Sequence, residues 1–213
     1  MPIAKWFISG VWGQPISRKR LRGFALYHAV SRGYEEVFET LLHHLGNSRQ
    51  PEAKNQLNVA LGIAARDGRH QMIRKSLDQG AEINQPTRDN PLARAARRHR
   101  LETTNVLLEN GAKPNVMSPD GDSAFSAAAE SGDIPLLQFF LGIGIDMNRC
   151  DGAALWPAVF FSDQNMVQFL IDQGAPLGYL RMCRRRLMSC LDCASTLVEN
   201  DDMVQLLTLR KPS

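Results

Sequence analysis

The sequence predicts an all-α solenoid of helix-turn-helix repeats, and three observations carry that prediction. Four segments end alike: LDQGAEIN (77–84), LENGAKPN (108–115), LGIGIDMN (141–148) and IDQGAPLG (171–178). Their glycines, Gly80, Gly111, Gly144 and Gly174, recur at intervals of 31, 33 and 30 residues, the spacing of a stacked two-helix unit. Alanine-rich stretches recur in the same register, and 44% hydrophobic against 22% charged residues supplies enough apolar surface to bury a core rather than remain disordered.

Each element then follows in order. Residues 1–23 read as a tail or cap, since MPIAKWFISGVWGQP is broken by Gly10 and Gly13 and falls short of a secretory leader's apolar run and cleavage site. No apolar run approaches the ~18 residues of a spanning helix, so no membrane contact is expected. Five short first helices come next: ALYHAVSRG (25–33), ALGIAARDG (60–68), PLARAARRH (91–99), AFSAAAESG (124–132) and ALWPAVFFS (154–162). Alanine occupies the fifth position of each (Ala29, Ala64, Ala95, Ala128, Ala158), small enough to let neighbouring helices approach closely.

Longer second helices follow, as in Val106-Leu107-Leu108 and Leu136-Leu137 with Phe139-Phe140-Leu141, each stopped by a glycine free to take positive φ. The connection GNSRQPEAKNQ (46–56) reads as a long or loose loop. Pro135 and Pro157 fall where helices are expected; Pro157 should kink or shorten its helix unless it lies in the first turn. Residues 180–213 read as a C-terminal capping helical segment.

This pattern resembles the ankyrin repeat, a unit of about 33 residues with a T-P-L-H-x-A start and a second helix ending in Gly-Ala-Asp-x-Asn. Pro91-Leu92, Ala95-Ala96, Leu107-Leu108 and Gly111-Ala112-Lys113-Pro114-Asn115 carry the match, and Asp120-Gly121 fits the family's Asp-Gly hairpin. The resemblance spans about five degenerate copies over residues 24–179, most without the family's threonine and histidine. It implies a non-catalytic scaffold that binds a protein partner on a concave face lined by the ends of the first helices and the hairpin tips.

On that register the stretch NPLARAARRHR (90–100) is the first helix of repeat three, with Arg94, Arg97 and Arg98 turned away from its apolar face. Three readings compete: a solvated helix face, a docking surface for an acidic protein partner to which arginine's planar fork is suited, and a nucleic-acid patch. Nucleic acid is disfavoured, because no aromatic platform accompanies the arginines and 25 basic residues nearly balance 22 acidic ones, a net charge of +3. Arg66, Asp67 and Glu130, with Ser31-Arg32 and Ser131, continue the same row, and Asp120, Asp122, Asp151 and Arg88-Asp89 sit at the hairpin tips. Phe160 and Phe161 take the equivalent places in repeat five, either as exposed hydrophobic anchors or rotated inward as core.

No cofactor or metal is expected. Cys183, Cys190 and Cys193 lack a fourth ligand, and cysteines paired by Cys-x-x-Cys spacing on a helix are commonly small buried apolar side chains. Four cysteines in all make no disulfide framework, so a reducing, cytoplasmic setting is expected, with the chain a monomer. Tyr179, Cys183 and Leu187 resemble the start of a SOCS box, but a tyrosine stands where its leucine belongs and no proline-rich half follows, so no function is carried over. The alternative to a simple binding module is a target-selecting adaptor or effector whose C-terminal segment recruits a second factor or metal. No catalysis is expected either: the histidines are scattered, and Gly142-Ile143-Gly144 ends a helix where a phosphate cradle would begin one.

Overall fold

The computed structural model describes residues 18–46, 51–86, 90–118, 123–145, 147, 154–161, 163–177, 180–183, 186–196 and 200–209. The chain divides into two compact units, 1–82 and 83–213. The first contains α1 (Arg18–Arg32), α2 (Glu35–Gly46), α3 (Pro51–Asp67) and α4 (His70–Asp78). In it α1 packs on both α2 and α3, and α3 on α4, around Leu26, Val30, Phe38, Leu61, Ile63 and Ile73. The presumed loose connection is half helix: Pro51 opens α3, so 51–56 lengthen the first helix of repeat two by almost two turns.

The second unit contains α5 (Pro91–Ala96), α6 (Leu101–Glu109), α7 (Ala124–Glu130), α8 (Ile134–Gly142), α9 (Leu155–Phe160), α10 (Gln164–Asp172), β1 (Leu180–Cys183), β2 (Arg186–Ser189), α11 (Cys190–Thr196) and α12 (Asp201–Leu209). Its short first helices pack in series, α5 on α7, α7 on α9 and α9 on α11, and each carries its own second helix. Phe125, Leu136, Leu137, Phe140, Leu155 and Leu170 are fully buried, with the Phe125 and Phe140 rings 6.5 Å apart. Both prolines are absorbed without a break, because Pro135 is the second residue of α8 and Pro157 the third of α9, inside the turn that needs no amide donor. α9 is therefore as long as α5.

Helix ends explain the repeated glycines. After α6 the Gly111 amide donates to the Leu108 carbonyl (2.9 Å) and the Ala112 amide to that of Leu107 (2.9 Å), a Schellman closure that requires positive φ at Gly111, here 86°. Gly80, Gly144 and Gly174 close their helices in the same way. Between first and second helices the turn is also left-handed, and in repeat three it falls on His99 (φ 54°), the only described non-glycine residue with positive φ. The missing family threonines have working substitutes. Asn90 accepts hydrogen bonds from the amides of Leu92 (2.9 Å) and Ala93 (3.2 Å) to cap α5, and Ser123 with Ser126 forms a reciprocal capping box on α7. Neighbouring loops are tied by Asn84, whose Oδ1 accepts from the Lys113 amide (2.7 Å) while its Nδ2 donates to the Gly111 carbonyl (2.9 Å).

The helical reading of 180–213 needs a correction at its start. β1 and β2 pair antiparallel, registered Leu180 to Ser189 and Cys183 to Arg186, in keeping with the period-two alternation Leu180-Arg181-Met182. Beyond these strands the chain builds a sixth helix pair rather than a simple cap. Ser189 and Asp192 bond reciprocally, the Ser189 amide to Asp192 Oδ2 (2.9 Å) and the Asp192 amide to Ser189 Oγ (3.1 Å), a capping box at the head of α11. Ala194 is the fifth residue of α11, fully buried like its counterparts, and Asn200 caps α12 by accepting from the Met203 amide (3.0 Å). Cys190 and Cys193 lie on the buried side, and burial pushes the Cys190 thiol up to about 12.

Two outcomes test these assignments. Gly111→Ala, where an added Cβ would meet nothing within 4 Å, isolates backbone strain and should cost about 1–2 kcal/mol. Gly142→Ala, within α8 and equally unobstructed, should be neutral or gain about 0.5 kcal/mol, as read by denaturant melts of the two variants side by side. Burial hides Cys190 and keeps its thiol protonated, so iodoacetamide mapped by mass spectrometry should label it only after denaturation.

Candidate partner-binding surface

In each repeat the last turn of the first helix and the left-handed turn after it lie between two packed helices. Side chains there cannot join the core, so they form rows across successive repeats. In the second unit one row runs, by register, Arg97, Glu130, Phe160 and the next runs Arg98, Ser131, Phe161. Arg97 Nε donates to Glu130 Oε2 at 2.8 Å, joining repeats three and four, and both groups remain partly open to solvent. Of the three arginines, Arg94 and Arg97 are half-buried and Arg98 is exposed. Phe160 and Phe161 are 45% and 59% exposed, their rings edge to face at 5.3 Å, which sets aside the inward-rotated alternative.

The first unit treats its share of the row differently. Arg66 binds its neighbour Asp67 twice, Nε to Oδ1 and a terminal nitrogen to Oδ2, each at 2.8 Å. That pairing, with a further hydrogen bond from Arg66 to Tyr27, raises the guanidinium pKa and lowers that of the Tyr27 phenol, mainly through the Arg66 bond. The two residues thus arrive with their charges already matched. Asp120, Asp122, Asp151, Arg88 and Asp89 at the hairpin tips lie outside the described residues, as do Tyr179 and the side chains of Cys183 and Leu187.

Two features were missed by reading the sequence. His99 stands where the other described inter-helix turns have glycine, and its Nδ1 lies 2.9 Å from Asp133 Oδ2 of the next repeat, while Oδ1 of that carboxylate caps α8 through the Leu136 amide (3.0 Å). The signal was a histidine in a glycine register. An uncharged groove also opens between α1 and α3 in the first unit; the exposed Phe24 and Tyr27, in the helix before the turn at Arg32 and Gly33, were its only trace in the sequence. Among the described residues no three His, Cys, Asp or Glu side chains gather in a metal-binding arrangement, and no helix is long and apolar enough to cross a membrane.

Comparison with known proteins agrees with the helix pairs. A family model for ankyrin repeats matches residues 26–118 in three copies. An ankyrin repeat domain-containing protein of Stachybotrys chartarum is 28% identical over 151 residues, 69% of this chain and 8% of the relative. Ankyrin repeat and SOCS box protein 11 of Mus musculus is 31% identical over 110 residues, 51% of this chain and 33% of the relative. The chain therefore spans a third or less of these relatives, and the likeness concerns repeats rather than whole proteins. Residues 26–118 therefore carry ankyrin repeats, and the helix pairs that follow them continue the same helix-turn-helix pattern.

Proposed function

We propose that this chain is a non-catalytic binding module that holds a protein partner on the row of first-helix ends in its second unit. The observation that carries the reading is the exposed pair Phe160 and Phe161 in the same register rows as Arg97 and Arg98. Folding normally removes such large apolar side chains from water, each worth about 1.5–3 kcal/mol when buried, and a partner that covers them recovers that free energy. Arg98, exposed beside the internally paired Arg97, steers and registers acidic groups, whereas the Arg97–Glu130 pair sets the spacing between repeats. Mixed charge along the row fits a shaped protein epitope better than a uniform polyanion. A cytoplasmic setting and a monomeric state accord with this role.

A second reading, in which the C-terminal segment recruits a further factor, draws on one observation: the paired strands β1 and β2 interrupt the repeat rhythm just before the sixth helix pair. The test is affinity capture from the native source with the unsubstituted chain and with a Phe161→Ser, Arg98→Glu variant. Both positions are exposed, so the melting temperature should stay within about 1 °C, while partners held by the unsubstituted chain should fall at least tenfold. Undiminished capture by the variant would move the site elsewhere.

A further inference from the structure

The groove between α1 and α3 has a volume of about 410 Å³ and is bounded by Phe24 and Tyr27 on one helix and Gln56, Val59 and Ile63 on the other. None of the residues that line it carries a charge, and Phe24 is 62% exposed and Tyr27 42%. Apolar surface of this kind in the first unit is left uncovered by the described residues. A segment of the same chain is long enough to reach it. Residues 1–17 lie outside the described residues and join α1 at Arg18, five residues before the groove begins at Gly23.

The sequence of that tail matches the groove in chemistry and in reach. Residues 6–12, WFISGVW, hold two tryptophans, a phenylalanine, an isoleucine and a valine with no charge, and no acidic residue occurs before Glu35. Gly13-Gln14-Pro15 contains residue types that favour turns. From Arg18 to Tyr27 is about 14 Å along the helix, and six residues of extended chain, the separation of Arg18 from Trp12, cover up to about 20 Å. An uncharged groove gives no footing to an acidic peptide, and a tethered segment competes at an effective concentration near the millimolar range.

We propose that residues 6–12 occupy this groove in cis, with Trp12 against Tyr27 and Val59, so that the first unit carries its own ligand. A partner segment reaches the groove only by displacing the tail. This surface is separate from the row of Phe160 and Phe161, and either assignment stands without the other.

The tail holds two of the three tryptophans, and the third, Trp156, is buried in the second unit. In the full chain carrying Trp156→Phe, emission therefore reports the tail alone. Docking predicts blue-shifted emission and acrylamide quenching several-fold weaker than in a synthetic peptide of residues 1–17, unchanged on dilution. Phe24→Glu, at an exposed position that the fold tolerates, and Val59→Glu in the groove wall should each restore peptide-like quenching while the far-ultraviolet circular dichroism stays the same. Peptide-like quenching before any groove substitution, or protection that survives both groove variants, overturns the proposal. So does protection lost on dilution, which would assign the tail to another copy, or protection gained only with anionic phospholipid vesicles, which would assign it to a bilayer.

Discussion

The structure depends on one backbone closure, repeated in six helix pairs among the described residues. The carbonyl of the alanine at the fifth place of each alanine-rich stretch, and of Ala194 in α11, accepts the amide that leads into the second helix: Ala29 from Tyr34 (2.8 Å), Ala64 from Arg69 (2.8 Å), Ala95 from Arg100 (3.1 Å), Ala128 from Asp133 (3.0 Å), Ala158 from Asp163 (2.9 Å) and Ala194 from Asn200 (3.1 Å). The bond satisfies a carbonyl that the helix end would leave without a partner and sets the angle at which the second helix departs. The alanine is no more than 1% exposed in any copy, and within each unit successive first helices pack on one another, so a larger group at this place would hold those helices apart. Pair geometry and stacking distance are thus fixed by the same residue.

Much of this was legible in the sequence because it is local chemistry repeated at a constant interval. The alanines, the stop glycines and the leucine-rich second helices stand where their spacing put them, since a left-handed closure and a close helix contact each admit few residue types. The sixth pair escaped notice for a physical reason: CLDCA carries two cysteines where the other first-helix stretches are mostly apolar, its cap is made by Asp192 with Ser189, and the intervening strands β1 and β2 displace the unit from its expected interval. The prolines carried a condition that the sequence alone did not settle. Their effect depends on position within the first turn, which a pattern of apolar residues locates only to within a residue or two.

The candidate surface was legible in part. Register alone placed Phe160 and Phe161 at the end of a first helix, and the structure leaves them open to solvent. Charge was harder to place, because the sequence shows which residues are basic but not which of them are already matched. Arg66 is spent on Asp67 and Arg97 on Glu130, so the basic cluster offers less positive charge to a partner than its composition implies. The groove of the first unit left little trace in the sequence: two aromatic residues of α1 face α3, whose first turns, including Asn55 and Gln56, the sequence pattern had assigned to a loop.

The most direct test of the stacking constraint is the equilibrium unfolding of Ala128→Leu. α7, which carries Ala128, packs against both α5 and α9, so three added carbons at a fully buried place must separate first helices on one side or the other. The account predicts a loss of about 1–3 kcal/mol in urea. Unchanged or increased stability would show that the first helices are not held together at this residue, and would contradict the account.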